Sequence, residues 1–572
     1  MKKLLFTITC AVLAIQMSAQ ELKVSRGLPD TTYSATMNIM GVGPKNGTVT
    51  VQGVEYPIYY TGEWAARIKF EKGVNKITVK ASNGDKVEYT TVYADRPVPE
   101  PITTPIIKNV KISPASRMEV VEGDEIRIRL SSLPGAKLTW LGGEPLYEVD
   151  DKGTYQGVYV VKKDDKAFDA PIEVVIATGD ETVAQPVKAD VKMMESSYLV
   201  GKTTEGAYLN YGLGSDRLGG AKINYLSEGI CMRIIGRVND MYKVRLSKNI
   251  NAWIPVSYME IQPNGTFAPT SLTGSWHISS SKGYDRVMVG LDEKLPYTIT
   301  EDVALSRISV RLYGAACNSN WITHKDYKAI KNVSYIQEQD DVIRIDIDLK
   351  DPQIWGYSVS YEGKSLVVNV KHRPESLKIS NLTIALDAGH GKPYTGARTI
   401  NGTNEDELTY DMVQRLKKIL EDKGAKVVLT REGKENVDMS DRRDKAREAA
   451  ADILISIHCN AGGTPLDLKG TSTYYRHLSH KALSVAILNS LLEMDVKNFG
   501  NIGNFNFSLN QPTEYLCVLV ETLFLNVVQE SAQIQDPAFR QEMMERVIWG
   551  VEKFLSEVPG SDAPAPKPYK NK

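Results

Sequence analysis

Cysteine is scarce. The 572 residues hold five, Cys10, Cys231, Cys317, Cys459 and Cys517, with no CxxC pair among them. That spacing offers neither a zinc ribbon nor a disulfide framework. Excess charge of one sign is also missing: 69 Lys plus Arg stand against 70 Asp plus Glu, a formal net charge of -1. Nothing in that balance favours a polyanion, so no nucleic-acid partner is expected. Beyond the N-terminus no apolar run approaches the roughly 20 residues that span a bilayer, so no membrane span is expected. What is present, 42% hydrophobic and 24% charged residues, is ordinary for folded soluble protein, and the length suggests about four domains at roughly 150 residues each.

Lys2 and Lys3 precede the apolar stretch Leu4 to Ile15, and Met17-Ser18-Ala19 offers a small residue for cleavage. Residues 1–19 therefore read as a secretory signal peptide, and an exported protein of the periplasm or cell envelope is expected. The stretch is short for an uncleaved anchor, and Thr9 is a poor neighbour for lipidation at Cys10.

Residues 21–96 alternate in short runs such as GTVTVQGVEYPIYYTG, with Asn46-Gly47 and Asn83-Gly84 as turn signals, and are expected to form a β-sandwich. RPVPEPITTP is an extended linker. A second β-sandwich is expected over 105–190. Residues 192–262 end in MRIIGRVNDMYKVRLSKNINAWIPVSYMEI, which resembles the bacterial SH3-like domains found beside cell-wall hydrolases. The strand-rich block 266–375 (RISVRLYG, VIRIDIDL, SLVVNVKH) resembles the β-sandwich targeting modules called AMIN domains.

From 377 to 557 strands alternate with long helical patterns. LTIALDAGHG reads as an apolar strand ending in a Gly-rich loop, and Leu408, Met412, Leu416 and Ile419 or Leu420 recur at helical spacing. AKVVLT, ADILISIH and LCVLVET continue the strands. The fold class is thus multidomain, with N-terminal all-β modules ahead of an α/β domain with a mostly parallel sheet. Residues 558–572, PGSDAPAPKPYKNK from Pro559, read as a disordered tail.

Of seven histidines, His390 and His458 each follow an apolar strand. Ligands of open α/β sheets collect outside the carboxyl ends of strands, so two imidazoles there point to a metal. Glu405 follows the polar loop KPYTGARTINGTN and opens an amphipathic helix, which leaves its side chain free to turn back over the strand ends; Asp406 and Glu407 compete on spacing alone. Glu521 closes the run LCVLVE, and an acid there needs a partner or a purpose. Two His and one Glu would leave a fourth zinc position open for water, as in catalytic sites. Cys459 adjoins His458, but neighbours on a strand point to opposite faces, so the two make no dyad. Cys517 also reads as a packing residue.

The segment from about Leu382 to Leu555 resembles the zinc-dependent N-acetylmuramoyl-L-alanine amidases, through LDAGHG, NEDELTYDM, VVLTR, Arg442 with Ala446, SIHCNA and LVETLFLN in order. The resemblance implies zinc held by His390, Glu405 and His458, with Glu521 as the catalytic carboxylate. It further implies peptidoglycan as substrate, cut between N-acetylmuramic acid and L-alanine. Ala388, Lys392 and Leu523 stand where the family usually has proline, glycine and glycine, departures that bear on the pocket rim. The stretch between His458 and Glu521 is compact, so no self-inhibiting helix is expected there. Two other readings use the same residues: a wall-attached scaffold without activity, against which the retained His390, Glu405, His458 and Glu521 argue, and a zinc peptidase cutting within the stem peptide.

Overall fold

The computed structural model describes residues 21–98, 100–194, 198–213, 222–318, 321–322 and 325–568. The expected signal peptide lies outside them. Among the described residues no helix is long and apolar enough to cross a membrane.

The first unit is two sheets packed face to face. One orders Lys23–Arg26, Thr36–Val42 and Glu63–Lys69; the other orders Thr31–Thr32, Lys86–Tyr93, Gly73–Ala81, Thr48–Val51 and Val54–Pro57. Ile39, Trp64, Ile68, Ile77 and Val79 fill the space between them. In the second unit seven antiparallel strands form one continuous hydrogen-bonded path from Glu181–Pro186 to Lys108–Ser113. Strict alternation drives it: along Glu125–Ser131, Ile126, Ile128 and Leu130 are buried while Arg127 and Arg129 face out.

The expected boundaries between units do not coincide with breaks in the sheets. Arg117–Val120 and Asp190–Met193 pair in parallel, and the first also pairs with Cys231–Val238. The second unit therefore shares a sheet with the third across residue 190. The fourth unit, two four-stranded sheets and a two-stranded one, shares one hydrophobic core with the third: Leu209, Ile234 and Val244 join Val287, Ile308 and Ile345.

In the C-terminal domain we label β1 (Thr383–Ala388), α1 (Glu405–Asp422), β2 (Lys426–Leu429), α2 (Met439–Glu448), β3 (Ile453–Asn460), β4 (Thr471–Tyr474), α3 (Lys481–Leu492), β5 (Asn498–Ile502), β6 (Leu516–Phe524), α4 (Val528–Gln535) and α5 (Pro537–Glu557). The sheet runs β2-β1-β3-β6-β4-β5, with only the β6/β4 contact antiparallel. Helices cover both faces, which is why β6 is buried at every position and reads as one apolar run. Ile384, Leu386, Ile455, Ile457, Val518 and Val520 face one core with Leu408, Met412 and Leu416 of α1. Helix α3 sends Leu483, Ile487 and Leu491 into that core. Ala385, Leu454 and Cys517 face Ala446 of α2. The same alternation puts Asp387, Ser456, His458 and Glu521 on the α2 side.

Residues 558–568 correct the expectation of a disordered tail. Asp562 accepts from Ser376 Oγ at 2.7 Å and the Leu377 N–H at 2.7 Å, Arg373 donates to the Pro559 and Gly560 carbonyls, and Trp549 Nε1 donates to the Lys567 carbonyl. Composition signals low hydrophobicity but not these bonds. Deleting residues 558–572 is expected to lower the melting temperature and expose residues 373–380 to proteolysis. An unchanged melting curve and cleavage pattern would contradict the strapping role.

Candidate metal centre

The loop after β1 is built around a buried ion pair. Asp387 and Arg442 are both fully buried, 3.0 Å apart. Thr430 Oγ1 also donates to Asp387, and Ser456 Oγ does so at 2.7 Å. Burial alone would raise the Asp387 carboxyl, but Arg442 and these hydroxyls hold it below its ordinary value. Arg442 spends every N–H direction: Nε on the Val437 carbonyl, Nη1 on Asp387 and the Ala388 carbonyl, Nη2 on the His390 carbonyl at 2.6 Å and Asn436. Arg431, stacked over the Tyr410 ring, adds bonds to the Ala388 and Gly389 carbonyls. These guanidinium groups hold His390 at φ +65, a left-handed conformation costly for a non-glycine residue.

His390 therefore leaves the strand end pointing at Glu405, the first residue of α1. His390 Nε2 lies 3.1 Å from Glu405 Oε2, and His458 Nδ1, from β3, lies 3.2 Å from Glu405 Oε1. The imidazole rings are 4.9 Å apart, edge to face. Backbone groups complete the carboxylate: Ala397 N–H donates to Oε2 at 2.8 Å and Cys459 N–H to Oε1 at 2.9 Å. Glu405 is 2% exposed. Burial pushes its carboxyl up, and the bonds and charges of the two histidines outweigh that and hold it well below the carboxylate range. Burial likewise works against the charged imidazole of His458, but Glu405 and the charge of Glu521 lift it to about 9.

The donor set suits a cation. Ligand atoms of His390, Glu405 and His458 all lie within 4.8 Å of one another, and among the described residues the ion-pair partners of Glu405 are these imidazoles alone. Two glycines make the approach close: a Cβ on Gly389 would stand 2.5 Å from the His458 ring, and one on Gly396 would stand 2.4 Å from Glu405 Oε2. Two nitrogens and a carboxylate oxygen are zinc-type ligands. Asp406 and Glu407, level with Glu405 on sequence spacing, are not in the cluster.

Glu521, 9% exposed, is the register partner of His458 on β6 and shares its face of the sheet. On its other side it pairs with Ser472. Cys459 and Cys517 are buried with their thiols pushed up by that burial, and Cys459 packs in the core opposite His458. Tyr474 packs edge to face with Phe505 and Phe507, and Tyr394 is exposed.

A family model described as N-acetylmuramoyl-L-alanine amidase matches residues 384–553. The endolysin of Bacillus phage SPP1 is 30% identical over 189 residues, covering 32% of this chain and 69% of that protein. The chain belongs to the N-acetylmuramoyl-L-alanine amidase family. It is also similar to the N-acetylmuramoyl-L-alanine amidase LytC of Bacillus subtilis (strain 168), 27% identical over 176 residues, 30% of this chain and 35% of that protein. Among solved structures, AmiC2 of Nostoc punctiforme is 27% identical with a TM-score of 0.30, covering 31% of this chain and 98% of that one. The chain thus spans about two thirds of the length of the endolysin and about a third of that of LytC. Family membership makes the C-terminal domain an N-acetylmuramoyl-L-alanine amidase domain.

The sequence marked Asp387, Thr430, Arg431, Arg442 and Ser456 only as parts of family landmarks, with no role attached, and gave no sign of Glu530. Glu530, 2% exposed at the start of α4, accepts from the Gly470 and Phe524 N–H groups at 2.8 Å and ties the rim loop to the end of β6. An acid inside the apolar run TIALDA was the available signal for Asp387. Arg442→Ala leaves Asp387 buried and unpaired, and is expected to cost about 3–5 kcal/mol of unfolding free energy in denaturant titrations. A loss below about 1 kcal/mol would contradict the role assigned to the pair.

Proposed function

We propose that the chain is an exported, zinc-dependent peptidoglycan hydrolase cleaving the amide that joins the lactyl group of N-acetylmuramic acid to L-alanine. His390, Glu405 and His458 are its metal ligands, and Glu521 is the general acid and base. The observation that carries this proposal is the convergence of three ligand side chains within 4.8 Å, beside the strand position paired with Glu521. Export rests on the charged and apolar pattern of residues 1–19.

Zinc, when bound, supplies Lewis acidity toward a carbonyl oxygen and lowers the pKa of water to about 7. The chain's own groups do the rest. Arg442 and Arg431 fix the carbonyls on either side of the His390 turn, so the imidazole is oriented before substrate arrives. The Cys459 and Ala397 N–H groups orient the Glu405 carboxylate. Glu521, one strand over from His458 and on its face of the sheet, takes a proton from the attacking water and returns one to the leaving amine nitrogen, the exchange that lets the amine depart neutral. Its near-complete burial strengthens each of these electrostatic contacts.

Digestion of purified peptidoglycan, followed by mass spectrometry of the new termini, tests this directly. Free stem peptides beginning with L-alanine are expected; cuts inside the peptide, or no products from zinc-loaded protein, would contradict it. In the same assay Glu521→Gln is expected to retain zinc and lose roughly 10² to 10⁴ in rate, the usual contribution of general acid-base catalysis. Near-normal turnover would remove Glu521 from the mechanism.

A further inference from the structure

The loop over residues 392–404 joins His390 to Glu405, and it is gripped from two sides. On the inner side it is packed on the ligands. The Glu405 N–H donates to the Ala397 carbonyl at 2.9 Å, the Asp406 N–H to the Thr395 carbonyl at 3.1 Å, and the Ala397 N–H returns to Glu405 Oε2. Gly396 sits so close that a Cβ there would meet both Glu405 Oε2 and His390 Cδ2, at 2.4 and 2.5 Å. A shift of this loop therefore displaces both side chains.

The outer side is gripped by a residue 338 positions earlier in the chain. Glu63, fully buried at the start of Glu63–Lys69, accepts the Asn401 N–H on Oε1 at 2.9 Å; its Oε2 accepts from Gln535 Nε2 at 3.2 Å and Thr61 Oγ1 at 3.1 Å. Asn401 Nδ2 in turn donates to the Thr61 carbonyl and to Gln535 Oε1, while its Oδ1 accepts from Thr399 Oγ1 at 2.6 Å and the Thr403 N–H at 3.3 Å. Asn401 is the hub of the loop, and the hub is held by the first β module. Burial pushes the Glu63 carboxyl up, against the pull of these neutral donors. An acid buried on neutral donors is expensive to keep, and here every donor belongs to the loop, to α4 or to the turn before Glu63. The module also reaches the stretch between β3 and β4, where Arg67 pairs with Asp467 at 3.2 Å, and it touches α4 where Tyr60 Oη donates to the Ala532 carbonyl at 2.8 Å.

We propose that the first β module is part of the metal site's framework, with Glu63 a positioning residue that braces the 392–404 loop and through it sets Glu405 and His390 for their ion. This rests on the zinc assignment above and gives the module a role other than attachment to the cell wall.

In the full-length chain, Glu63→Ala is expected to weaken zinc binding about 10-fold, the low end of what loss of an outer partner of a metal ligand costs. Competition with a chelator of known zinc affinity reads this. Turnover should fall through kcat more than through KM. Glu63→Gln, which keeps the shape and an acceptor for the Asn401 N–H, is expected to recover most of the affinity. Tyr60→Phe breaks a bond between the same module and α4 that does not touch the loop, and is expected to leave zinc affinity unchanged. Zinc affinity in Glu63→Ala equal to wild type overturns the proposal. Failure of the wild-type chain to bind zinc overturns the zinc assignment instead. Should the alanine variant not fold by circular dichroism, Glu63→Asp decides, since it draws the carboxylate back by one methylene. Weaker zinc binding than wild type supports the bracing role, and equal binding overturns it.

Discussion

A carboxylate 2% exposed, wedged between two imidazoles at the end of a parallel sheet, is the constraint around which the C-terminal domain is organised. Glu405 cannot be ionised there without compensation, and no Lys or Arg among the described residues reaches it. Compensation comes from two segments: His390 and the Ala397 N–H on the stretch between β1 and α1, and His458 and the Cys459 N–H on β3. The strand ends, the helix start and the loop between them are thereby tied to one point. Two imidazoles and a carboxylate oxygen converging at that point are also a zinc-type donor set, which is why the same geometry reads as a candidate metal centre.

Behind that point stands a second buried charge. Asp387 and Arg442 contact no ligand-forming atom of the cluster, yet Arg442 holds the carbonyls before and after Gly389, and so dictates where the His390 ring goes. A buried pair is a weak source of net stability and a strong source of geometric definition when every donor is used. The cost of the left-handed turn at His390 is offset by these bonds. The apolar departure at Ala388 is consistent with this layout: Ala388 is fully buried and contributes its carbonyl to both guanidinium groups, a contact that depends on the backbone and not on its side chain.

Much of the catalytic domain was legible in the residues because parallel strands buried on two faces leave continuous apolar runs, and because Leu408, Met412 and Leu416 mark one face of α1. His390 and His458 stood out as imidazoles following such runs. Glu405, Asp406 and Glu407 could not be separated by spacing, since all three lie in the first turn of a helix whose dipole favours each of them. The distinction comes from the Ala397 and Cys459 N–H groups, contacts of 8 and 54 residues' separation that no local pattern encodes. The Asp387–Arg442 pair spans 55 residues and the Glu63–Asn401 bond spans 338, so both were invisible for the same reason. Boundaries among the β units failed because alternation shows that a strand exists and not which sheet it joins: Arg117–Val120 pairs across the expected division. The tail was misread because a few bonds from Asp562 and to the Pro559 and Gly560 carbonyls suffice to dock a segment of low hydrophobicity.

The larger consequence concerns how a long chain with little net charge is put together. The second and third β units share a sheet, the third and fourth share a core, and the first reaches the 392–404 loop of the C-terminal domain. Organisation of this kind ties the loop beside the candidate metal centre to the first β module. Elemental analysis of the purified full-length protein after dialysis against zinc is the most direct check. The account predicts about one zinc per chain, matching a single three-ligand site, and its loss in Glu405→Ala. Metal-free wild-type protein, or full zinc content in that variant, would contradict it.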